Sequence, residues 1–339
     1  MITSRRGGGG GGGGCGGASL DGGDELAALF GSTLQLAPGR DNRFDPVLHA
    51  ARGAVLGEAV EAAERAVRYQ PRFDEVKIRF NFGAALFYRG PRDGETLSIR
   101  QLKGRAIPGD MKAVFSNGVG AAARAALLAR LTGRLGFKLV ERKERVSLHL
   151  EEMGRNAGHA LSLTKSPSGA LSLRKVKSAA NKLAFLTLLD GRPSAPDFRA
   201  KLIAHYQPSG AAAARGPPLE RIASAARLAG RGGAPRLEVP DLCDYDLKVS
   251  RERHKSKEVY EGCYEGLAIK VTFSRVWSPD KGAAHAEVTG ACPELTALLA
   301  AALAAHALAP GDAARLRRGL ETLLGFATDV AAAAAAAGA

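Results

Sequence analysis

Residues 74–88, DEVKIRFNFGAALFY, constrain the fold more than any other stretch. Val76, Ile78, Phe80 and Phe82 fall on one side of an extended chain, and Lys77, Arg79 and Asn81 fall on the other. That is the period-two alternation of a strand with one apolar face. Gly83 breaks the alternation, and residues 84–88 form a second apolar run. Four large side chains on one face need a layer to pack against, so the core is expected to assemble on this strand.

The flanking patterns supply that layer. In residues 46–69, Leu48, Arg52, Val55, Leu56, Ala59, Val60, Ala63 and Val67 repeat at threes and fours, with Glu58, Glu61, Glu64, Arg65 and Arg68 on the remaining arc. This is an amphipathic helix, stopped by Pro71. Downstream, residues 95–102 read as a short strand. Residues 137–140, 146–150, 160–164, 171–176 and 183–189 are short alternating runs separated by Gly, Pro, Asn and Asp. Such short connections join antiparallel neighbours, because a parallel crossover needs about a dozen residues. The pattern predicts a β-meander. Further strands are expected at 237–240, 245–250 and 267–276, with 251–257 a polar connection between the last two. Pro293 opens a helix to about residue 309. Asp312 caps another, with Leu316, Leu320, Leu323, Leu324 and Ala327 on one stripe. The order predicts an α+β fold, an antiparallel meander and sheets carrying an N-terminal helix and two C-terminal helices.

Low-complexity tracts punctuate this plan. Residues 1–45 read as a disordered Gly-rich leader, since the glycine run at 7–14 has maximal backbone entropy to lose and nothing to bury. The composite domain spans 46–330. Within it, 116–134 reads as a low-complexity insertion that could form a surface helix. Residues 207–235 read as a Gly/Pro/Ala-rich linker or loop. Residues 331–339 are a poly-Ala tail.

Charge narrows the partners. The net charge of +14 and pI near 9.9 point to a polyanion such as RNA. The stretch 134–182 holds eleven Lys and Arg against four Glu. Alternation along its strands would place several of those cations on one solvent-facing sheet surface. The candidate anion-binding residues are Lys77, Arg79, Arg142, Lys143, Arg145, Lys165, Arg174, Lys175, Lys177 and Lys182, joined by Arg251, Arg253, Lys255 and Lys257 in the polar connection. Phosphate contacts of this kind position a nucleic acid without reading its sequence. The bland alternative is a solvated face with edge lysines that block aggregation. A protein-interaction scaffold with no nucleic-acid role is a second alternative.

Catalytic signatures are missing from the sequence. There is no Walker loop, HExxH or nucleophile elbow. A metal-dependent phosphatase tunnel would need alternating Glu-x-Glu and Lys/Arg on inward strand faces; Lys77-Ile78-Arg79 offers the basic half, and no Glu-x-Glu-x-Lys string accompanies it. His149 and His159 flank a turn and could face each other, yet neither sits in the H-x-[ST] string of two-histidine phosphoesterases. The expectation leans to a non-enzymatic protein without a cofactor, with a phosphoesterase-type enzyme using His149 and His159 kept as a third alternative. Cys15, Cys243, Cys263 and Cys292 form no CxxC pair, so a zinc ribbon is excluded on spacing and a reducing compartment is the default. No apolar run predicts a membrane span. The expected location is intracellular, cytoplasmic or nuclear; the absence of an acid before Asp21 permits organellar import, which ranks second because the glycine run makes a poor amphipathic helix.

The strings DEVKIRFNFGAALFY, LSIRQLKGRAIP, LAIKVTFSRVW and LRRGLETLLGF, with the meander between them, resemble an uncharacterised plant and green-algal family. Its members carry a strand of the type D-x-V-K-[IL]-R-φ-x-φ-G followed by LFY. The resemblance covers about residues 55–330, apart from 116–134 and 208–234. The basic YIPPHKR-like leader of that family is absent from this chain. The resemblance implies no catalytic residues.

Overall fold

The computed structural model describes residues 34–36, 46–68, 75–88, 96–98, 112–152, 158–165, 171–177, 180–188, 195–205, 226–229, 236–238, 247–279 and 284–337. The strands are β1 (Leu34–Leu36), β2 (Glu75–Tyr88), β3 (Thr96–Ser98), β4 (Lys112–Ser116), β5 (Gly118–Val119), β6 (Lys138–Glu152), β7 (Gly158–Lys165), β8 (Leu171–Lys177), β9 (Ala180–Leu188), β10 (Asp197–His205), β11 (Arg227–Ala229), β12 (Arg236–Glu238), β13 (Leu247–Tyr264), β14 (Leu267–Trp277) and β15 (His285–Ala291). The helices are α1 (Pro46–Arg68), α2 (Ala121–Ala129), α3 (Pro293–Ala305) and α4 (Pro310–Ala337). The architecture is α+β, as the patterning predicts.

The main sheet runs β9-β10-β2-β15-β14-β13-β6-β7-β8, antiparallel throughout, with β1 added in parallel beside β9. Its two edges are covalently tied. β8 ends at Lys177 and β9 begins at Ala180. Chain geometry then holds those two Cα atoms within about 11 Å of each other. Opposite edges of a nine-strand path can meet only if the sheet curls back on itself, so it forms a tube with an interior and an exterior face. The expected meander holds for β6, β7 and β8 and stops short of β9, which pairs with β10 instead. β6, β7 and β8 are consecutive neighbours, but β8 and β9 share no ladder among the described residues and stand at the seam.

β2 sits among its partners as the alternation requires. Up to Gly83 it pairs with β10 and β15; from Ala84 it pairs with β3 and β4. Gly83 is the changeover point, and a Cβ there would lie 1.9 Å from the Ser116 carbonyl oxygen. Phe80 and Phe82 are fully buried on the exterior face and pack with Phe198 of β10 at ring separations of 5.5 and 5.3 Å. Phe326 of α4 closes the cluster, 6.0 Å from Phe80, 5.9 Å from Phe137 and 5.6 Å from Tyr264. The stripe Leu316, Leu320, Leu323, Leu324 and Ala327 is buried, as its spacing predicts. α4 is long and apolar enough by composition to span a bilayer, yet half of that window is buried inside this fold.

Four expectations change. The segment read as a low-complexity insertion contains α2, which continues as a π-type turn over Arg130–Arg134 and buries Leu127 and Leu131 completely. Alanine is the strongest helix former and permits close approach, so an Ala-rich sequence here builds core. The alanines read as a tail extend α4, with Ala331 and Ala334 buried. The polar connection 251–257 lies inside β13, an 18-residue strand. The separate runs at 137–140 and 146–150 are parts of one strand, β6. Polar residues in both look like breaks because they alternate between the interior face and an exterior face that is polar there too. The glycine-rich leader and most of 207–235 lie outside the described residues, β1, β11 and β12 excepted.

Candidate functional site

Directly opposed residues in an antiparallel ladder share a face, so register assigns the interior. One row runs Thr164, Arg145, Lys255, Val276 and His285 across β7, β6, β13, β14 and β15. Neighbouring rows place Ser162, Ser147 and Arg253 together, and Lys143, Lys257, Ser274 and Glu287 together. Farther along come Thr272, Thr289, Asn81 and Arg199, and then Lys270, Ala291, Arg79 and Lys201. Almost every residue in these rows is polar or cationic. Lys77, Asn81, Asp197 and Glu287 are all at most 9 % exposed, although among the described residues no helix covers this face. The closed sheet itself shields them.

Glu287 organises the centre. Its carboxylate accepts hydrogen bonds from Arg253 and from Lys255 Nζ at 3.0 Å, and His285 Nε2 lies 3.4 Å away. Burial would raise this carboxyl, but Lys255 and Arg253 outweigh it and hold Glu287 below its ordinary value of 4.5. Burial lowers Lys255, against the pull of Glu287, with the nearby Arg253 and Arg251 charges adding to the lowering. Arg253 Nε and Arg145 Nε are buried without a hydrogen-bond partner. On the β2–β10 side, burial pushes Arg199 down to about 10, so it stays charged at neutral pH, and its guanidinium lies 4.5 Å from the Phe115 ring centroid. Asp197 accepts a 2.8 Å hydrogen bond from the Ala85 amide, and Asn81 donates to Asn117 at 3.1 Å. Toward the Lys270–Arg79–Lys201 row the interior meets solvent, because Arg79 is exposed and Lys270, paired with Glu261, is about half exposed.

The cations expected on a solvent-facing surface therefore divide. Lys77, Arg79, Lys143, Arg145, Arg251, Arg253, Lys255 and Lys257 belong to the interior rows. Arg142 and Lys165 lie outside, where Arg142 pairs with Glu258 at 3.3 Å and Lys165 with Glu144 at 2.9 Å. The side chains of Arg174, Lys175, Lys177 and Lys182 are outside the described residues. Register sets Lys175 opposite Ser162, Lys177 opposite Ala160 and Lys182 opposite Ile203, while Arg174 falls at a register shift. The single solvated meander face is thus replaced by the inside of a tube, since closure turns one face of every strand inward.

Sequence reasoning missed Arg199 and Lys201 on β10, Lys270 on β14, and the counter-charges Asp197 and Glu287. A signal was present in DFRAKLI, which alternates like β2 but stands beside a Pro-rich turn. HAEVTGA, the β15 sequence, has too few large side chains to announce a strand. The histidine pair does not assemble. His149 is opposite Ala160 and His159 opposite Leu150, successive ladder positions that belong to opposite faces. Among the described residues no three His, Cys, Asp or Glu side chains converge as metal ligands.

No family model matches this chain, and no curated protein matches it. Solved structures similar to it include the S. pombe Pct1 RNA triphosphatase, at 14 % identity and TM-score 0.47 over 81 % of this chain and 90 % of that one. The same enzyme in complex with the Spt5 CTD gives 13 % identity and TM-score 0.49 over 82 % and 92 %. Likenesses this distant carry no argument about function.

Proposed function

We propose that this chain binds a polyanion, RNA in the favoured case, through the cation-lined interior of its closed sheet, and that it does so without catalysing a reaction. The observation that carries the reading is the convergence of Lys and Arg from β2, β6, β10, β13 and β14 on one enclosed face. Against them, register places Glu75, Glu141, Glu151, Asp197, Glu261 and Glu287 as acids on the same face. Packing like charges together costs stability, and an anion entering from solvent relieves that cost. Low local dielectric strengthens each phosphate contact. Binding without chemistry is supported by the state of the one carboxylate at the centre: Ser274 stands opposite Glu287, but Lys255 and Arg253 hold that carboxyl below its ordinary value, which makes it a poor base.

The test replaces Arg79, Lys201 and Lys257 by Gln, singly and together, and measures RNA binding by fluorescence anisotropy at low salt. Each substitution is expected to weaken binding several-fold, and the triple variant to lose it while keeping the wild-type melting temperature. Charge reversal of exterior Arg142 is expected to leave affinity unchanged. Equal affinity of the triple variant and wild type overturns the reading.

A further inference from the structure

The exterior face carries a feature that polyanion binding in the interior does not use. Where α2 ends, the sheet exterior loses its helical cover. Arg124 of α2 marks that border, 3.6 Å from Glu258 and over the Phe273 ring. Beyond it, two registered rows cross four strands. One holds Leu163, Val146, His254 and Trp277; the next holds Lys165, Glu144, Ser256 and Arg275. All of these but Leu163 line a cavity of about 370 Å³, together with Ala284 and with Arg145 and Lys255 of the adjoining interior row. That volume lies within the roughly 300–1,000 Å³ typical of small-ligand sites.

The chemistry of the lining is specific. Trp277 is the chain's one tryptophan, and it is half-buried against His254, the rings 5.0 Å apart and inclined at 57°. His254 is itself fixed by Glu252. Val146, at 1 % exposure, gives an apolar floor. On the same side, exposed Arg275 supplies positive charge, Lys165 a second cation now paired with Glu144 at 2.9 Å that a phosphate would have to draw away, and Ser256 a hydroxyl. An aromatic wall over an apolar floor takes a planar ring, and a guanidinium beside it takes a phosphate.

We propose that this exterior cavity is a binding site for a nucleotide, with the base against Trp277 and His254 and the phosphate on Arg275 and Lys165. The site opens on the exterior face, where Arg145 and Lys255 border it from the interior row, and it shares no lining residue with Arg79, Lys201 or Lys257. Its ligand is a phosphorylated heterocycle, supplied either as a free nucleotide or as one unit of a strand.

The lone tryptophan makes the test direct. The full chain is titrated with AMP, adenosine, inorganic phosphate and a short oligoadenylate while Trp277 fluorescence is followed, corrected for ligand absorption. AMP is expected to quench saturably, adenosine to bind at least several-fold more weakly, and phosphate alone to leave the emission unchanged. Arg275→Gln is expected to weaken AMP roughly tenfold, with Lys165→Gln smaller, at unchanged melting temperature. Arg79→Gln, which touches only the interior, is expected to leave AMP quenching intact, so the two sites fail separately. Tighter binding of the oligoadenylate than of AMP assigns the ligand to a strand; equal or weaker binding assigns it to a free nucleotide. Absence of saturable AMP quenching into the millimolar range, or undiminished quenching in folded Arg275→Gln, overturns the proposal.

Discussion

Glu287 is the residue on which the interior's charge balance turns. It faces two cations inside a closed sheet, and removing it leaves the largely buried Arg253 and Lys255 without their shared counter-charge. Glu287→Gln should cost about 3 kcal/mol, the lower end of breaking a buried pair, measured by urea unfolding at neutral pH. The pH dependence has a fixed sign. Because the folded carboxyl sits below 4.5, its contribution is complete above that value and drains as pH falls through the lowered one. Wild type should therefore lose stability on acidification more steeply than Glu287→Gln. Gly290, near Glu287 on the same strand, is constrained differently: a Cβ would meet the Phe80 ring at 2.0 Å and the Lys270 carbonyl at 2.5 Å. Gly290→Ala should cost about 2–3 kcal/mol through forced displacement of the core, visible as a lowered thermal midpoint. Neither role can be read from HAEVTGA, because a buried acid and a close-approach glycine are defined by neighbours far away in the chain.

At the scale of elements, what could be read depended on side-chain size. β2 and the Leu stripe of α4 carry large residues at a clean period, and both lie where their patterns put them. α2 carries mostly alanine, so its period is faint and its core role invisible. Yet Leu127 and Leu131 are fully buried. Leu127→Ala should destabilise the fold by about 3 kcal/mol, whereas Ala125→Ser, on the exposed arc, should change it by less than about 0.5 kcal/mol; calorimetry separates the two. β13 was hidden for a related reason. RERHKSKE alternates charge with charge, because one face lines the tube interior and the other borders the exterior cavity. Hydropathy patterning sees only strands with an oily side.

At the scale of the whole molecule, α+β character follows from element order, but closure does not. Short runs with short connections suggest hairpins, and only the pairing of β2 with β10 and β15 reveals that the links at 178–179 join opposite edges. A tube concentrates its cations where salt screens them poorly, so phosphate capture should still follow counterion release. If four phosphates are neutralised, log affinity for single-stranded RNA should fall with log salt at a slope of about −2.8. Each interior Lys or Arg removed should flatten it by roughly 0.7. The same wiring has a consequence during synthesis. Arg79 finds its ladder partner Ala291 roughly two hundred residues later. A ribosome must therefore deliver nearly the entire polypeptide before the phenylalanines of β2 gain their neighbours on that side. Until then β2 keeps one edge without its native ladder partner.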